Sequence, residues 1–286
     1  MPHEFAHGKM SQPAVAIDFG ASNTDVVWRD HTTTHRWKLR NRGKPPDEAR
    51  VRTLLALGDT VPSDFSSIAV TGGNRELLPA FIDDRPVHRI DEVHAIGRGG
   101  LELAGVDRAI VTSAGSGTAV IAAGPDGAKH VTGSGVGGGT LVGLGRMLLD
   151  IADPRELDAL ARVGHHKELN LTIGEILGGA IGSLPPDTTA VNFGRVARGP
   201  IDARPADVAA ALVNMVGQVI AVIAINAARA TQNTEIVIVG HLTDLPSVRD
   251  VLETVGRFYS APLRIPEHGG YATALGALLE AEKLSR

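Results

Sequence analysis

Residues 112–118 read TSAGSGT and residues 131–140 read VTGSGVGGGT, and this glycine-rich stretch in two parts decides the predicted fold of the chain. Glycine lets the backbone approach a ligand closely and adopt positive φ. Exposed N–H groups in such a loop, followed by the start of a helix, form an anion site. The leucine spacing over residues 141–150 predicts that helix. Two flexible hairpin turns would produce the same local pattern. The rest of the chain therefore has to decide between an anion site and flexible turns.

The composition excludes several classes of protein. The chain has 286 residues, which suits one large domain or two closely packed lobes, and 43% of them are hydrophobic, enough for a substantial core. A formal net charge of −4 gives no global basic field, so we predict no nucleic-acid partner. Cysteine is absent, which excludes disulfides, thiolate zinc sites and a cysteine nucleophile. The absence of cysteine is compatible with the cytoplasm, where we expect the protein.

Two segments bear on targeting and membranes. Residues 1–12 are polar, lack the apolar core of a signal peptide and are predicted to be a disordered tail. Residues 209–230 are apolar over enough length to cross a bilayer. However, Asn214, Gln218 and Asn226 are separated by multiples of four residues and share one helix face. We therefore predict a buried core or dimer-interface helix here, and no membrane partner.

The chain opens with an acidic turn between two strands. Residues 15–17 are a short apolar run, DFGASNT follows at residues 18–24, and apolar residues resume at 26–28. The carboxylate that ends the first strand, Asp18, can hold Mg²⁺ directly or through water while N–H groups of the turn meet phosphate. An Asx-type hairpin turn would explain the same residues, although it would not explain why a glycine-rich hairpin appears again later.

A carboxylate also stands at the start of a predicted helix. Residues 91–104 have a helical pattern, with Asp91 as the candidate N-cap and Glu92 in the first turn. An acid at a helix N-terminus is commonly no more than favourable dipole chemistry.

Short strands are also predicted over residues 87–90 and 262–265.

The order of strand, turn and strand in the opening residues recurs around the central stretch. Apolar runs at residues 109–111 and 118–123 flank the first glycine loop, and residues 129–132 form a return strand. EIVIV at residues 235–239 is predicted as a buried parallel strand that ends at Gly240, where α/β sheets bind ligands. The predicted fold class is therefore α/β with a duplicated actin-like (ribonuclease H-like) fold, in which two lobes flank an ATP cleft.

With these pieces assembled, the chain resembles the type II pantothenate kinases, which belong to the superfamily of actin-like ATPases, sugar kinases and Hsp70. The similar motifs follow one another in the family's order from about Val15 to Leu279. They are DFGAS at 18–22, IDE at 90–92 with Gly99, GSGT at 115–118, VTG at 131–133, GGGT at 137–140 with GL at 143–144, NFG at 192–194, NM at 214–215, VG at 239–240, GGY at 269–271 and GAL at 276–278.

The resemblance implies a function and a set of site residues. ATP and Mg²⁺ would bind between an N-terminal lobe, residues 13–108, and a C-terminal lobe, residues 109–286. Glu92 would be the general base that takes the proton from a primary hydroxyl of a small-molecule acceptor, pantothenate or a relative of it. Asp18 would help to hold Mg²⁺, and the family's long helix would form a homodimer. The expected ATP-binding residues are Gly20, Ala21, Ser22, Asn23, Thr24, Gly115, Ser116, Gly117, Thr118, Gly137, Gly138, Gly139, Thr140, Gly240 and His241, and the expected acceptor-binding residues are His130, Thr132, Gly133 and Tyr271.

Three positions depart from the family pattern. Asp25 stands where the family usually has lysine, His130 where it has the arginine that engages the acceptor, and His241 where a small residue usually follows the glycine. Loss of a fixed cation removes a bidentate partner for a carboxylate such as that of pantothenate. Two alternatives therefore stay open. One is a catalytically weak or inactive nucleotide-binding homologue that acts as a sensor, and the other is a kinase of a different acceptor such as a sugar or a specialised metabolite.

Overall fold

The computed structural model describes residues 12–30, 32–41, 43–182 and 184–284. The contacts among them divide the chain into two compact units, one formed by residues 12–92 and 277–284 and the other by residues 93–276. Of the predicted disordered tail, residues 1–11 lie outside the described residues. The exposed Gln12 donates a hydrogen bond to the carbonyl of Ser63 at 3.0 Å.

The first unit is built on one sheet. In its described residues six strands lie in the order β3-β2-β1-β4-β6-β5. Their bounds are β1 Val15–Phe19, β2 Asn23–Arg29, β3 Thr34–Arg40, β4 Ile68–Gly72, β5 Phe81–Ile82 and β6 Arg85–Arg89. Strands β1, β2 and β3 form an antiparallel meander, and β4 runs parallel to β1.

Every second residue along β1 is a buried apolar one, and these residues form the buried face of the sheet. Val15, Ile17 and Phe19 point to one side and pack with Leu54 of helix α1, Glu48–Ala56, in a single apolar cluster. The side chain of Asp47 caps this helix by accepting a hydrogen bond from the backbone N–H of Arg50 at 2.7 Å. The residues between the apolar ones, Asp18 among them, therefore face the other side of the sheet.

The second unit repeats the same strand order. Strands β7 Ala109–Ala114, β8 Thr118–Gly124 and β9 Gly127–Ser134 form an antiparallel meander, and β12, Ile236–Val239, runs parallel to β7. The order β9-β8-β7-β12 matches β3-β2-β1-β4 of the first unit. The predicted duplication is thus present in the hydrogen-bond pattern itself. The small strands β10 Leu171–Thr172 and β11 Thr189–Val191 pair apart from this sheet.

Helices cover both faces of the second sheet. The helices that follow α1 are α2 Glu92–Ala104, α3 Gly138–Leu149, α4 Pro154–Ala161, α5 Ile173–Leu177, α6 Pro205–Ala230, α7 Pro246–Phe258 and α8 Ala272–Leu284. One face of the sheet carries a large apolar cluster with residues of α3, α4, α6 and α7, and the other carries α2 and the start of α8. By length and composition α6 could cross a membrane, but 61% of its most apolar window is buried inside the protein.

The packing of α2 explains where the two units divide. A Cβ atom on Gly97 would lie 2.8 Å from the Cβ of Ala128, and Ile96 and Leu101 share an apolar cluster with Val111 of β7. Helix α2 therefore packs on the second sheet, and the contacts divide the chain at Glu92, ahead of the predicted boundary at residues 108 and 109.

The prediction of a strand over residues 262–265 is wrong. Arg264 makes a single parallel bridge to Val237, with backbone hydrogen bonds between residue 264 and both Ile236 and Ile238. One bridge without a ladder is too short to count as a strand, although it does continue the sheet beyond β12.

Candidate active site

The acidic turn of the first unit is held by its neighbours. Asp18 is the fourth residue of β1 and lies directly opposite Asp25 of β2. Gly72 at the end of β4 has φ of +84°, and a Cβ atom there would lie 2.6 Å from Oδ1 of Asp18. Glycine therefore leaves room for the Asp18 carboxylate at this point.

The loop that follows Asp18 is fixed by a residue that the sequence did not indicate. Asn41 donates from its side-chain amide to the carbonyl of Gly20 at 2.8 Å and from its backbone N–H to the carbonyl of Ser22 at 2.8 Å. Thr24 is fully buried, and its hydroxyl accepts a hydrogen bond from the guanidinium of Arg50 at 3.0 Å. The side chain of Thr24 thus points toward α1, and only its backbone can serve a ligand beside Asp18.

In the second unit the two glycine loops bind each other. The N–H of Gly138 donates to the carbonyl of Gly115 at 2.8 Å, and the N–H of Gly139 donates to the carbonyl of Ser116 at 2.9 Å. A Cβ atom on Gly137 would lie 2.7 Å from the Ser116 carbonyl oxygen. The glycines are therefore needed for close packing of one loop on the other, and the alternative of two flexible turns is wrong.

These hydrogen bonds also correct one part of the prediction. We expected the backbone amides of residues 137–140 to face phosphate, but those of Gly138 and Gly139 are engaged within the protein. The N–H of Gly137 lies 3.3 Å from the hydroxyl of Thr140, which itself donates to the carbonyl of Gly135 at 3.0 Å. Thr118 likewise uses its hydroxyl to donate to the carbonyl of Val136 at 2.7 Å.

A bulge in β9 separates His130 and Thr132, both of which we predicted to bind the acceptor. Thr132 pairs with Val120 and His130 pairs with Ile121, with a bulge between them. Cross-strand partners share a face. Val120 belongs to the apolar cluster beneath α6, and Ile121 belongs to the cluster beneath α2. The exposed His130 therefore lies on the α2 face and Thr132 on the other, so they do not form one acceptor surface.

The end of β12 gathers three of the predicted residues. Gly240 has φ of +100°, its N–H donates to the carbonyl of Gly269 at 2.8 Å, and a Cβ atom there would overlap the backbone of Ala114. The ring of the next residue, His241, meets that of Tyr271 edge to face at 5.4 Å between centroids. Gly240 thus lies against the strand that leads into the first glycine loop.

His241 has a partner, Asp244, that the sequence did not lead us to predict. Nδ1 of His241 lies 2.7 Å from a carboxylate oxygen of Asp244, three residues further along the same short turn. The spacing His-x-x-Asp within HLTD was the available signal. The pair holds the imidazole ring in place at the carboxyl end of β12, where the parallel strands of α/β sheets present ligand sites.

Glu92 is the first residue of α2 and is exposed to solvent. Within the described residues its carboxylate makes no hydrogen bond or ion pair. An acidic side chain in the first turn of a 13-residue helix is a common and favourable arrangement. The side chain can therefore accept a proton from a ligand without first breaking a contact.

Comparison with known proteins places the chain in a family. The family model named Fumble matches residues 109–280, which is more than half of the chain. The chain belongs to the Fumble family. Its match begins at β7 and includes both glycine loops, the bulge of β9 and the end of β12. Asp18 and Glu92 lie outside the matched residues.

The similarity to curated relatives covers most of both units of this Fumble protein. It is 26% identical to a type II pantothenate kinase of Bacillus cereus strain AH820 over 280 residues, 94% of this chain and 98% of that one. It is 27% identical to a type II pantothenate kinase of Oceanobacillus iheyensis over 275 residues, 93% of this chain and 99% of that one. Together with the family model, these relatives confirm the prediction of a pantothenate kinase-like, ATP-dependent kinase.

Solved structures confirm the fold class. Component A of the (R)-2-hydroxyglutaryl-CoA dehydratase of Acidaminococcus fermentans superposes with a TM-score of 0.65 at 15% identity, covering 96% of this chain and 100% of that one. A ROK family glucokinase of Streptomyces griseus, solved with glucose and AMPPNP, superposes with a TM-score of 0.57 at 15% identity, covering 95% and 99%. At this identity the likeness shows the actin-like fold alone.

Proposed function

We propose that this Fumble protein transfers the γ-phosphoryl group of ATP to a primary hydroxyl of a small molecule, pantothenate or a related acceptor. The observation that supports this most directly is the repeated strand order, which presents an acidic hairpin turn in the first unit and a glycine-rich one in the second. Phosphoryl transfer needs positioning and charge neutralisation rather than covalent chemistry from the protein, and the two turns supply groups of that kind.

In the proposed reaction the acceptor hydroxyl gives its proton to the Glu92 carboxylate. The hydroxyl oxygen then forms a bond to the γ-phosphorus, and the bond from that phosphorus to the β,γ-bridging oxygen breaks, so that the electron pair leaves with ADP. The free Glu92 carboxylate at the start of α2 supports this role for it. Acceptor contacts are assigned to His130 on the α2 face, with Gly133 and Tyr271 as further candidates.

The residues present fit a nucleotide-bound Mg²⁺. Asp18 offers hard carboxylate oxygens at the end of β1, where Gly72 makes room for its side chain. When bound, Mg²⁺ neutralises phosphate charge in reactions of this class. The ATP contacts of the second unit are assigned to the loop over residues 115–118, to Thr140 and to the end of β12 at Gly240 and His241.

A homodimer is also part of the proposal. Exposed apolar side chains are concentrated in the segment that precedes α6, and contiguous exposed apolar surface commonly marks an interface. They are Ile176, Leu177, Ile181, Val191, Val196 and Ile201. The polar residues Asn214 and Gln218 of α6, by contrast, are used within the chain, because both hydrogen-bond to Asn192.

The test is acceptor-dependent release of ADP from MgATP, with pantothenate, pantetheine, sugars and aminosugars as acceptors. We expect Glu92→Gln to reduce turnover by about 100-fold or more, the usual contribution of a general base, and to retain binding of MgADP. Glu102→Gln is the matched control, since it removes a carboxylate from the same helix far from its N-terminus. Equal turnover in Glu92→Gln and the wild type would rule out the assigned role.

One observation favours a second candidate, a nucleotide sensor with little or no catalysis. Asp25 is only 4% exposed and lies directly opposite Asp18, which places a second acidic residue, where the resemblance implies a lysine, close to the proposed phosphate site. The same experiment separates the two functions. Stabilisation by MgADP without ADP release for any acceptor would support the sensor.

A further inference from the structure

A cavity of about 380 Å³ lies among helices α4, α6 and α7 of the second unit. Its apolar lining comes from Ala161 of α4, Ala210 and Val213 of α6 and Val251 of α7. Small-molecule sites have volumes in this range and are concave, largely apolar and furnished with a few polar groups. The lining contains none of the residues to which ATP and acceptor contacts are assigned, so the proposed kinase reaction does not use it. We call it the α6 cavity.

The walls of the α6 cavity are held together by close contacts. Gly164 lines it just after α4, and a Cβ atom on this residue would overlap the carbonyl of Ala206 in α6. Ser247 lines it at the start of α7, and its N–H donates to the buried carboxylate of Asp158 in α4 at 2.8 Å. The three helices are therefore fixed relative to one another around the cavity.

His166 lines the cavity and offers it one hydrogen-bond donor. The fully buried Asn170 accepts the N–H of Phe193 with Oδ1 at 2.8 Å, and its amide nitrogen lies 3.4 Å from Nδ1 of His166. Since an amide nitrogen only donates, Nδ1 accepts and the proton of the neutral ring is on Nε2. Burial lowers the pKa of His166, and the charge of Lys167 acts in the same direction, so the ring is neutral at pH 7. Its Nε2–H makes no hydrogen bond to any described residue and is available to a ligand.

The cavity also carries two exposed groups of opposite charge. Arg162 at the end of α4 and Asp250 of α7 both line it, yet neither forms an ion pair with the other or with another residue in the described part of the chain. Asn214 of α6 also lines it and uses its amide nitrogen to donate to Asn192 at 3.1 Å, which turns its oxygen into the available group. The lining therefore offers donors to an anionic group and acceptors to a cationic one, together with apolar contacts.

We propose that the α6 cavity binds a small zwitterion, an α-amino acid with an aliphatic side chain. Its carboxylate is bound by Arg162 and His166, since a guanidinium suits a carboxylate through two parallel hydrogen bonds. Its ammonium group is bound by Asp250 and Asn214. Its side chain contacts the alanine and valine side chains of the lining. This site is separate from the proposed kinase reaction, to which none of these residues is assigned.

The experiment is isothermal titration calorimetry of the full chain with L-alanine, L-valine and L-leucine. We expect L-leucine to bind about tenfold or more tightly than 4-methylpentanoate, which lacks the ammonium group, and 3-methylbutylamine, which lacks the carboxylate, because each analogue loses a charged hydrogen bond. For the same reason Arg162→Gln and Asp250→Asn should each raise the dissociation constant of L-leucine about tenfold.

The matched control is Arg155→Gln. It removes the same charge from an exposed position near the start of α4, outside the lining of the cavity, and should leave the dissociation constant of L-leucine unchanged. Thermal unfolding of each variant checks that it is folded. No binding of any of the three amino acids by the wild type, or equal affinity of Arg162→Gln and the wild type, would overturn the proposal. Equal affinity for 4-methylpentanoate and L-leucine would also overturn it, because the ligand would then not be a zwitterion.

Discussion

His130 is the residue at which this protein differs most directly from the pattern of the family it resembles. An exposed imidazole stands on the α2 face of β9 where the resemblance implies an arginine. Arginine binds a carboxylate through two parallel hydrogen bonds, whereas histidine offers one donor to it and is charged only when protonated. In the proposed acceptor site, the identity of this residue would bear on which acceptor is used.

We expect His130→Arg to raise kcat/KM for pantothenate about tenfold relative to acceptors without a carboxylate, the effect of one additional charged hydrogen bond. Steady-state kinetics with pantothenate and pantetheine measure the ratio. His130→Ala is the control and should not favour the carboxylate. An unchanged ratio in His130→Arg would remove His130 from the acceptor site.

Asp207 is a buried acid whose role is structural. Its carboxylate accepts hydrogen bonds from Nε and Nη2 of Arg204 at 2.9 and 2.7 Å and from the N–H of His165 at 2.8 Å. The hydrogen bonds from Arg204 are the main cause that lowers the pKa of Asp207 to about 2. The contacts join the first turn of α6 to the segment that follows α4.

Because the folded-state pKa is below that of the unfolded chain, the stabilisation by Asp207 is complete above about pH 5 and is lost as the pH falls toward 2. We expect Asp207→Asn to lower the melting temperature at pH 7, with the difference from the wild type shrinking as the pH falls through this window. Thermal unfolding of both proteins between pH 7 and the acid limit of folding measures it. A difference that is constant with pH would contradict the assignment.

At the scale of elements, helices α2 and α8 cross at two glycines. A Cβ atom on Gly99 would overlap the carbonyl of Ala272, and one on Gly276 would overlap the carbonyl of Ala95. Two helix backbones can come this close only where neither carries a side chain at the contact. Since α2 begins at Glu92, the crossing also holds the helix that presents the proposed general base.

We expect Gly276→Ala to destabilise the protein by about 3 kcal/mol or more, because the added methyl group forces the two helices apart. Gly143→Ala is the matched control. Gly143 lies within α3, and a Cβ atom there would meet nothing within 4 Å, so alanine should stabilise the protein by about 0.5–1 kcal/mol. Chemical denaturation compares the two variants. Equal effects of the two substitutions would show that the crossing is not closely packed.

At the scale of the whole molecule, the exposed apolar side chains before α6 predict a dimer. Leu177 is 60% exposed, and a charge there would be left buried if a second copy covers this segment. We expect Leu177→Glu to shift the chain from dimer to monomer in sedimentation velocity at micromolar concentration. Leu57→Glu changes a similarly exposed leucine of the first unit and should leave the dimer intact. A wild-type chain that is monomeric would refute the proposed homodimer.

The sequence by itself determined the fold class, the positions of the strands in the two hairpins and the order of the two hairpins. These features depend on local periodicity and on turn residues, which a single sequence displays. It also located Asp18, Glu92 and the glycine loops as candidates, because each stands at the end or the beginning of a predicted element.

Only the tertiary structure decided how these pieces meet. The amides of Gly138 and Gly139 are taken up by the neighbouring loop, the bulge of β9 turns His130 and Thr132 to opposite faces, and strand register aligns Asp25 with Asp18. Register, bulges and hydrogen-bond partners depend on contacts between residues far apart in the chain. A shift of one residue in register would reverse the face of every side chain, so local sequence cannot specify them.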